Sequence, residues 1–232
     1  MSEHDLESVN STIAKQPIVF VLDTSNLTKR QISALNEGLE LFHDEMEYLV
    51  DEHISFEGVE IAVVTYGGDV TVEQEFTPIE QWIPPTLSRE RYSPMGEAII
   101  ETCRMVEDRK EEYQANGLPY RKPEIWLLAN SSPTDMNKGD KRWSQVETVL
   151  ETGINNDAFR FIQAGVTGAD LETLSQLSPE TDIPPLKVKE QENMFRDYFE
   201  FVAESPRSFT SVAAYISVTD IIEDSAALTL VD

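Results

Sequence analysis

The chain has 232 residues, 40% of them hydrophobic and 9% aromatic, which suits one α/β domain with a substantial core and excludes wholesale disorder. Its formal net charge is -25, from 18 Lys and Arg against 43 Asp and Glu, and such a surface repels nucleic-acid backbones and anionic membranes. The acidic residues are spread along the chain rather than gathered in one block, which favours adaptation to a high-salt cytoplasm over steering of a basic partner.

Residues 1–15 are polar and aperiodic and read as a flexible N-terminal arm. The run Pro17-Ile18-Val19-Phe20-Val21-Leu22 is continuously apolar, as expected of a parallel strand covered on both faces, and it ends abruptly in Asp23-Thr24-Ser25. Thr28 is a suitable N-cap for a long helix whose apolar stripe is Ile32, Leu35, Leu39, Phe42, Met46 and Leu49. A second strand follows over 59–66. The Gly67-Gly68-Asp69 turn then leads into an alternating strand over 70–76, giving a hairpin that places one antiparallel strand at the sheet edge. A Pro-, Thr- and Ser-rich loop occupies 77–93. Ser93 and Pro94 read as the cap and first turn of a helix that turns Met95, Ala98, Ile99, Thr102, Met105 and Val106 inward.

The lone Cys103 falls on that apolar face and reads as a small core residue. A third buried strand spans 123–129 and ends in Asn130-Ser131-Ser132-Pro133-Thr134-Asp135. A helix around 143–150, a strand over 158–164, a short helix over 169–177, a last edge strand at 186–188 and a closing helix over 194–203 complete the pattern. Strands alternating with helices predict a doubly wound, Rossmann-like α/β domain over 16–204: a mostly parallel sheet with one antiparallel edge strand and helices on both faces. Residues 205–232 read as a partly ordered tail. No apolar run approaches the roughly 20 residues that span a bilayer, and Met1-Ser2-Glu3-His4-Asp5 lacks a basic leader, so a cytoplasmic protein is expected.

Three loops leave the sheet on one edge: Asp23-Thr24-Ser25, Arg91-Tyr92-Ser93-Pro94-Met95-Gly96 and Asn130-Ser131-Ser132-Pro133-Thr134-Asp135. Open α/β sheets bind ligands at this carboxyl edge. Together with Ser33-Ala34-Leu35-Asn36-Glu37-Gly38-Leu39, Thr65-Tyr66-Gly67-Gly68-Asp69, Gly165-Val166 and Leu174-Ser175-Gln176-Leu177-Ser178-Pro179, these motifs resemble the von Willebrand factor type A (vWA) domain. Within that family they resemble the TerY- or YegL-like prokaryotic branch.

The resemblance implies a metal-ion-dependent adhesion site (MIDAS) built from Asp23, Ser25, the position of Leu27, Ser93 and the position of Asn130. Mg²⁺ takes hard oxygen ligands and keeps several waters, so hydroxyls and carboxylates suit it, and an open position accepts a partner's carboxylate. Leu27 has no oxygen to give, and Asn130 offers a neutral amide in place of an anion. The site is therefore expected to be degenerate, with no resident cofactor or only weakly held Mg²⁺. Asp135 stands too far along its loop to be taken as a replacement ligand.

The remaining candidates have plainer readings. His4, His43 and His53 show no ligand spacing, Gly67-Gly68 lacks the Lys and helix of a phosphate loop, and Ser131-Ser132 lacks a nucleophile-elbow pattern. Arg89 and Arg91 have two readings, receivers of a partner's carboxylate or ion pairs with neighbouring Glu residues. Trp82 and Ile83 either anchor an interface or cover the sheet edge.

The expected function is a non-catalytic protein-protein interaction module that docks a partner through Asp23, Ser25, Arg91, Ser93 and Asn130. The resemblance implies a stress-response or tellurium-resistance setting with kinase- or phosphatase-like partners. The alternative is a Mg²⁺-dependent adhesion or regulatory domain, or an enzyme-associated regulator, using the same edge.

Overall fold

The computed structural model describes residues 13–52, 58–177, 183–189, 193–210 and 228–231. Strand β1 (Gln16–Leu22) is buried along its whole length and lies inside a seven-stranded sheet of order β3-β2-β1-β4-β5-β6-β7. The other strands are β2 (Val59–Gly67), β3 (Asp69–Pro78), β4 (Glu124–Ala129), β5 (Arg160–Gly165), β6 (Leu186–Val188) and β7 (Leu228–Leu230). β1 runs parallel to both neighbours, pairing Ile18 with Ile61 of β2 and Val19 with Ile125 of β4. The carboxyl ends of β1 and β4 therefore open side by side.

The predicted mostly parallel, doubly wound sheet is what forms, with antiparallel pairs at both edges. One is the expected hairpin strand β3, whose turn uses Gly68 in the left-handed region (φ 73°). The other is β7, which lies within the stretch read as a tail. It pairs with β6 and displaces Leu186–Val188 from the edge position that the sequence suggested. Three residues of weak pattern, far along the chain, carry no local signal of that pairing.

The period of two along β1 divides its side chains between two cores. Ile18, Phe20 and Leu22 face helix α1 (Lys29–Glu52) and helix α5 (Met194–Thr210), where Leu35, Leu39 and Phe42 meet Phe195, Phe199 and Val202. Gly38 admits the second helix: a Cβ there would stand 2.5 Å from the Phe199 ring. Val19 and Val21 face helix α2 (Met95–Ala115) and helix α3 (Lys141–Asn155), with Ala98, Ile99, Val106, Trp143 and Leu150. Helix α4 (Leu171–Leu177) contributes Leu174 and Leu177 to the same core.

Cys103 is buried in this second core, and burial pushes its thiol up to about 12, as suits an inert packing residue. Thr28 caps α1 as expected, accepting from Gln31 N at 3.2 Å while the Gln31 side chain returns a bond to Thr28 N at 2.9 Å. No helix among the described residues is long and apolar enough to cross a membrane.

The amino end of the sheet is closed by ion pairing. Glu60, at the start of β2, accepts from Arg109 Nε at 3.0 Å and Tyr113 OH at 2.5 Å, and it pairs with Lys15 Nζ at 3.1 Å. Lys15 is further tied by backbone bonds to Pro119 and Arg121, so the last residue of the expected flexible arm is part of the folded domain. Residues 1–12, with His4, lie outside the described residues, as does His53.

Burial raises the Glu60 carboxyl, but the bonds from Tyr113, Arg109 and Lys15 outweigh it, and the net shift is downward from 4.5. Ionised Glu60 therefore contributes stability above its unfolded value that is lost as pH falls through its lowered folded value. Arg109→Met leaves that charge underpaired and should cost about 3 kcal/mol at neutral pH. The deficit should shrink as pH falls toward the carboxylate range, read from urea melts of both proteins at several pH values.

Candidate functional site

β1 ends at Leu22, and the next residue, Asp23, is only 3% exposed. Its backbone is still held in the sheet by a bond from Asp23 N to Leu128 O at 3.0 Å. The same carbonyl accepts from Tyr66 OH at 3.0 Å, so a buried phenol supports the floor of the site. With the strand fixed, the Asp23 carboxylate projects among the three loops named from the sequence.

Four donors converge on it. Oδ1 accepts from Ser25 N at 2.9 Å, closing a turn within its own loop. Oδ2 accepts from Asn130 N at 3.1 Å, Ser131 Oγ at 3.0 Å and Ser93 Oγ at 3.3 Å. Ser25 Oγ lies 3.0 Å from Ser131 Oγ. The two hydroxyls thus lie in hydrogen-bonding contact beside the carboxylate, with Ser131 donating to Asp23. The Asn130 side chain turns back and donates from Nδ2 to Asp23 O at 2.6 Å. Burial pushes the Asp23 carboxyl above its ordinary 3.8, against the opposing pull of bonds from Ser25, Asn130 and Ser131.

Asp23, Ser25, Ser93 and Asn130 are thus brought together as the sequence suggested, but all four are buried. These groups face one another rather than the surface. Leu27, at the position where a third ligand was sought, is 4% exposed and belongs to the core beneath α1. Ser93 does not cap its helix. Its hydroxyl points to Asp23, while Asp135 caps α2 by accepting from Gly96 N at 3.0 Å and Glu97 N at 2.8 Å. Asp135 is accordingly no substitute ligand. Thr134 completes the join, with its Oγ1 accepting from Ser93 N at 3.0 Å.

Ser131 is the site residue that sequence reasoning missed. Its signal was its place, directly after Asn130 where β4 runs out, rather than any motif.

The rim of the site is the segment that connects β3 to α2. Trp82 is buried and sets its ring edge-on to Phe42 at 5.9 Å, with His43 at 5.8 Å, so it covers the sheet rather than anchoring an interface. Its neighbour Ile83 is 78% exposed. Further along, Glu90 N donates to Thr24 O at 3.0 Å and Glu90 O accepts from Asn26 N at 2.9 Å, a short parallel bridge onto the loop of Asp23. Arg89, Arg91 and Tyr92 flank that bridge and are exposed.

The donor set decides how well a divalent cation fits. Three hydroxyls offer hard oxygens, yet Asp23 is the sole carboxylate in the cluster, and it already accepts three protein donors on Oδ2 and one on Oδ1. The Asn130 amide presents its nitrogen, and Leu27 faces the core. Among the described residues no group of three or more His, Cys, Asp or Glu is placed to hold a metal. These residues fit a carboxylate satisfied from within the protein and do not fit a resident divalent ion.

No protein-family model matches the chain, and no curated protein matches it. Solved structures do, and their common fold is the vWA domain. A von Willebrand factor type A protein from Catenulispora acidiphila aligns with TM-score 0.61 at 11% identity, over 84% of this chain and 43% of its own. The pilus adhesin SpaC from Lactobacillus rhamnosus GG aligns with TM-score 0.64 at 10% identity, over 85% and 30%. A proximal thread matrix protein of the mussel byssus, solved with a zinc-occupied MIDAS motif, aligns with TM-score 0.51 at 18% identity, over 83% and 46%. The chain spans less than half the length of each of these structures, and at these identities the likeness establishes the shared fold.

Removing the hub should be costly. Asp23→Ala leaves four donors, three of them on buried residues, without an acceptor and should cost about 3 kcal/mol, with Asp23→Asn costing less than half as much. Because folded Asp23 holds its proton more tightly than the unfolded chain does, wild type should gain on Asp23→Asn as pH falls through the raised value toward 3.8. Denaturant melts of the three proteins between neutral and acid pH measure both effects.

Proposed function

We propose that this protein is a non-catalytic docking domain of vWA fold that engages a protein partner at the carboxyl edge of its sheet without a divalent ion. The observation that supports this most is the internal satisfaction of Asp23, whose carboxylate is occupied by Ser25, Ser93, Asn130 and Ser131. In this reading the buried cluster ties three loops into one rigid edge. The exposed residues around it, Asn26, Arg91, Tyr92 and Ser132, make the contact.

The appearance of a pilus adhesin among proteins of the same fold is in keeping with an interaction role. No reaction is assigned to the edge. Asp23, the one carboxylate of the cluster, is buried and accepts four protein donors, and no imidazole stands among the residues that form the cluster. A TerY-like setting with kinase- or phosphatase-like partners rests on the motif resemblance alone.

Site-resolved crosslinking tests the proposal. A photoreactive residue at Ser132 or Asn26 should capture the same partner from native cells, with and without a chelator. The same residue at Asn116, exposed beyond the far end of α2, should not capture it. Equal capture from Asn116, or loss of the Ser132 adduct on chelation, would contradict it.

A further inference from the structure

In a chain with 43 acidic residues an arginine readily finds a carboxylate. Arg104, Arg109, Arg142, Arg160 and Arg196 each do, with N to O distances between 2.5 and 3.9 Å. Arg89, Arg91 and Arg121 have no such partner among the described residues, and of these the two that stand together on the rim of the site are Arg89 and Arg91. Both are exposed, and Glu90 stands between them. Tyr92 beside them is 66% exposed.

This segment is held in place along its length. Asn36 clasps Leu87 by both backbone groups, accepting from Leu87 N at 2.8 Å and donating to Leu87 O at 3.1 Å. Glu90 bridges to Thr24 and Asn26, and Tyr92 O accepts from Gly68 N at 3.0 Å. The glycine pair forms the bed on which it lies. A Cβ on Gly67 would stand 2.2 Å from Thr24 Oγ1 and 3.0 Å from Glu90 Cβ, so a larger residue would push the segment away. Two guanidiniums and a phenol ring are therefore displayed from a fixed backbone, which lowers the ordering cost of binding. Arg89 and Arg91 directly flank Glu90, the residue bridged to the loop of Asp23.

We infer that Arg89, Arg91 and Tyr92 are the recognition element of this edge, and that its occupant is an acidic segment of another protein. Closely spaced carboxylates of that segment pair with the two guanidiniums, and an apolar neighbour lies on the Tyr92 ring. The inference rests on the reading of the carboxyl edge as a docking surface and names the partner's chemistry. Guanidinium forks match carboxylates in paired bonds. A long phosphate polymer is disfavoured by the charge of -25. A short acidic segment feels that charge only within about 8 Å at physiological ionic strength, and so responds chiefly to the arginines that it touches.

The test uses the full chain and a fluorescein-labelled hexaglutamate peptide, followed by anisotropy at about 0.15 M KCl. Wild type should bind it, and the double variant Arg89→Gln/Arg91→Gln should bind about tenfold more weakly or worse. Arg104→Gln should bind as wild type does. Since both arginines are exposed and have no ion-pair partner among the described residues, the double variant should melt with wild type, which separates lost recognition from lost folding.

Equal binding by wild type and the double variant, or no binding by wild type, would overturn the inference. Preference for a phosphoserine peptide over hexaglutamate would overturn it in favour of phosphate recognition. If wild type ignores hexaglutamate while the Ser132 crosslink persists, docking at the edge stands and its acidic occupant falls. Absence of the Ser132 crosslink in wild type defeats the docking reading itself.

Discussion

A single buried carboxylate joins three separate pieces of chain at the top of this sheet. Asp23 takes a backbone donor from its own loop, a hydroxyl from the loop before α2, and a backbone donor and a hydroxyl from the loop after β4. Each loop is also anchored by an apolar residue, Leu27, Leu87 and Met136 respectively, and the carboxylate ties the three anchored pieces to one another. Their geometry follows from the place of Asp23 at the end of the central parallel strand, where β1 and β4 end together. An uncompensated carboxylate in that position would be strongly destabilising, and the four bonds are what make its burial tolerable.

The cluster also separates what is fixed from what is available. Asp23, Ser25 and Ser93 are enclosed, while Arg89, Arg91 and Tyr92 stand outside on a segment pinned by Asn36, Thr24, Asn26 and Gly68. At the opposite end of the sheet Glu60 is also buried, but there Arg109 and Lys15 supply full positive charges. The two carboxylates consequently shift in opposite directions, Asp23 up and Glu60 down. Dipolar donors alone do not offset burial at Asp23, whereas at Glu60 the Tyr113 hydroxyl together with the cations Arg109 and Lys15 does.

Most of the fold was legible from periodicity. The unbroken apolar run of β1, the stripe of α1 and the Gly67-Gly68 turn each encode their structure within a few residues. β7 was not legible, because its pairing with β6 joins residues some 40 apart in sequence with no local mark. The members of the site were legible as a set, since Asp23, Ser25, Ser93 and Asn130 all sit where strands or loops reach one edge. Their roles were not. Whether Ser93 caps a helix or bonds a carboxylate depends on Asp135, which competes for the same helix end from a loop 39 residues away. Leu27 had the clearest meaning: an apolar residue at a ligand position turns to the core and takes no part in the site.

The central claim is that Asp23 is held by protein donors in place of a divalent ion. A crystal structure grown with millimolar Mn²⁺, with anomalous differences recorded at the manganese edge, tests it most directly. The account predicts no manganese peak beside Asp23 and the Ser131 hydroxyl still in contact with its carboxylate. A manganese ion bound by Asp23, Ser25 and Ser93, with Ser131 displaced, would contradict it.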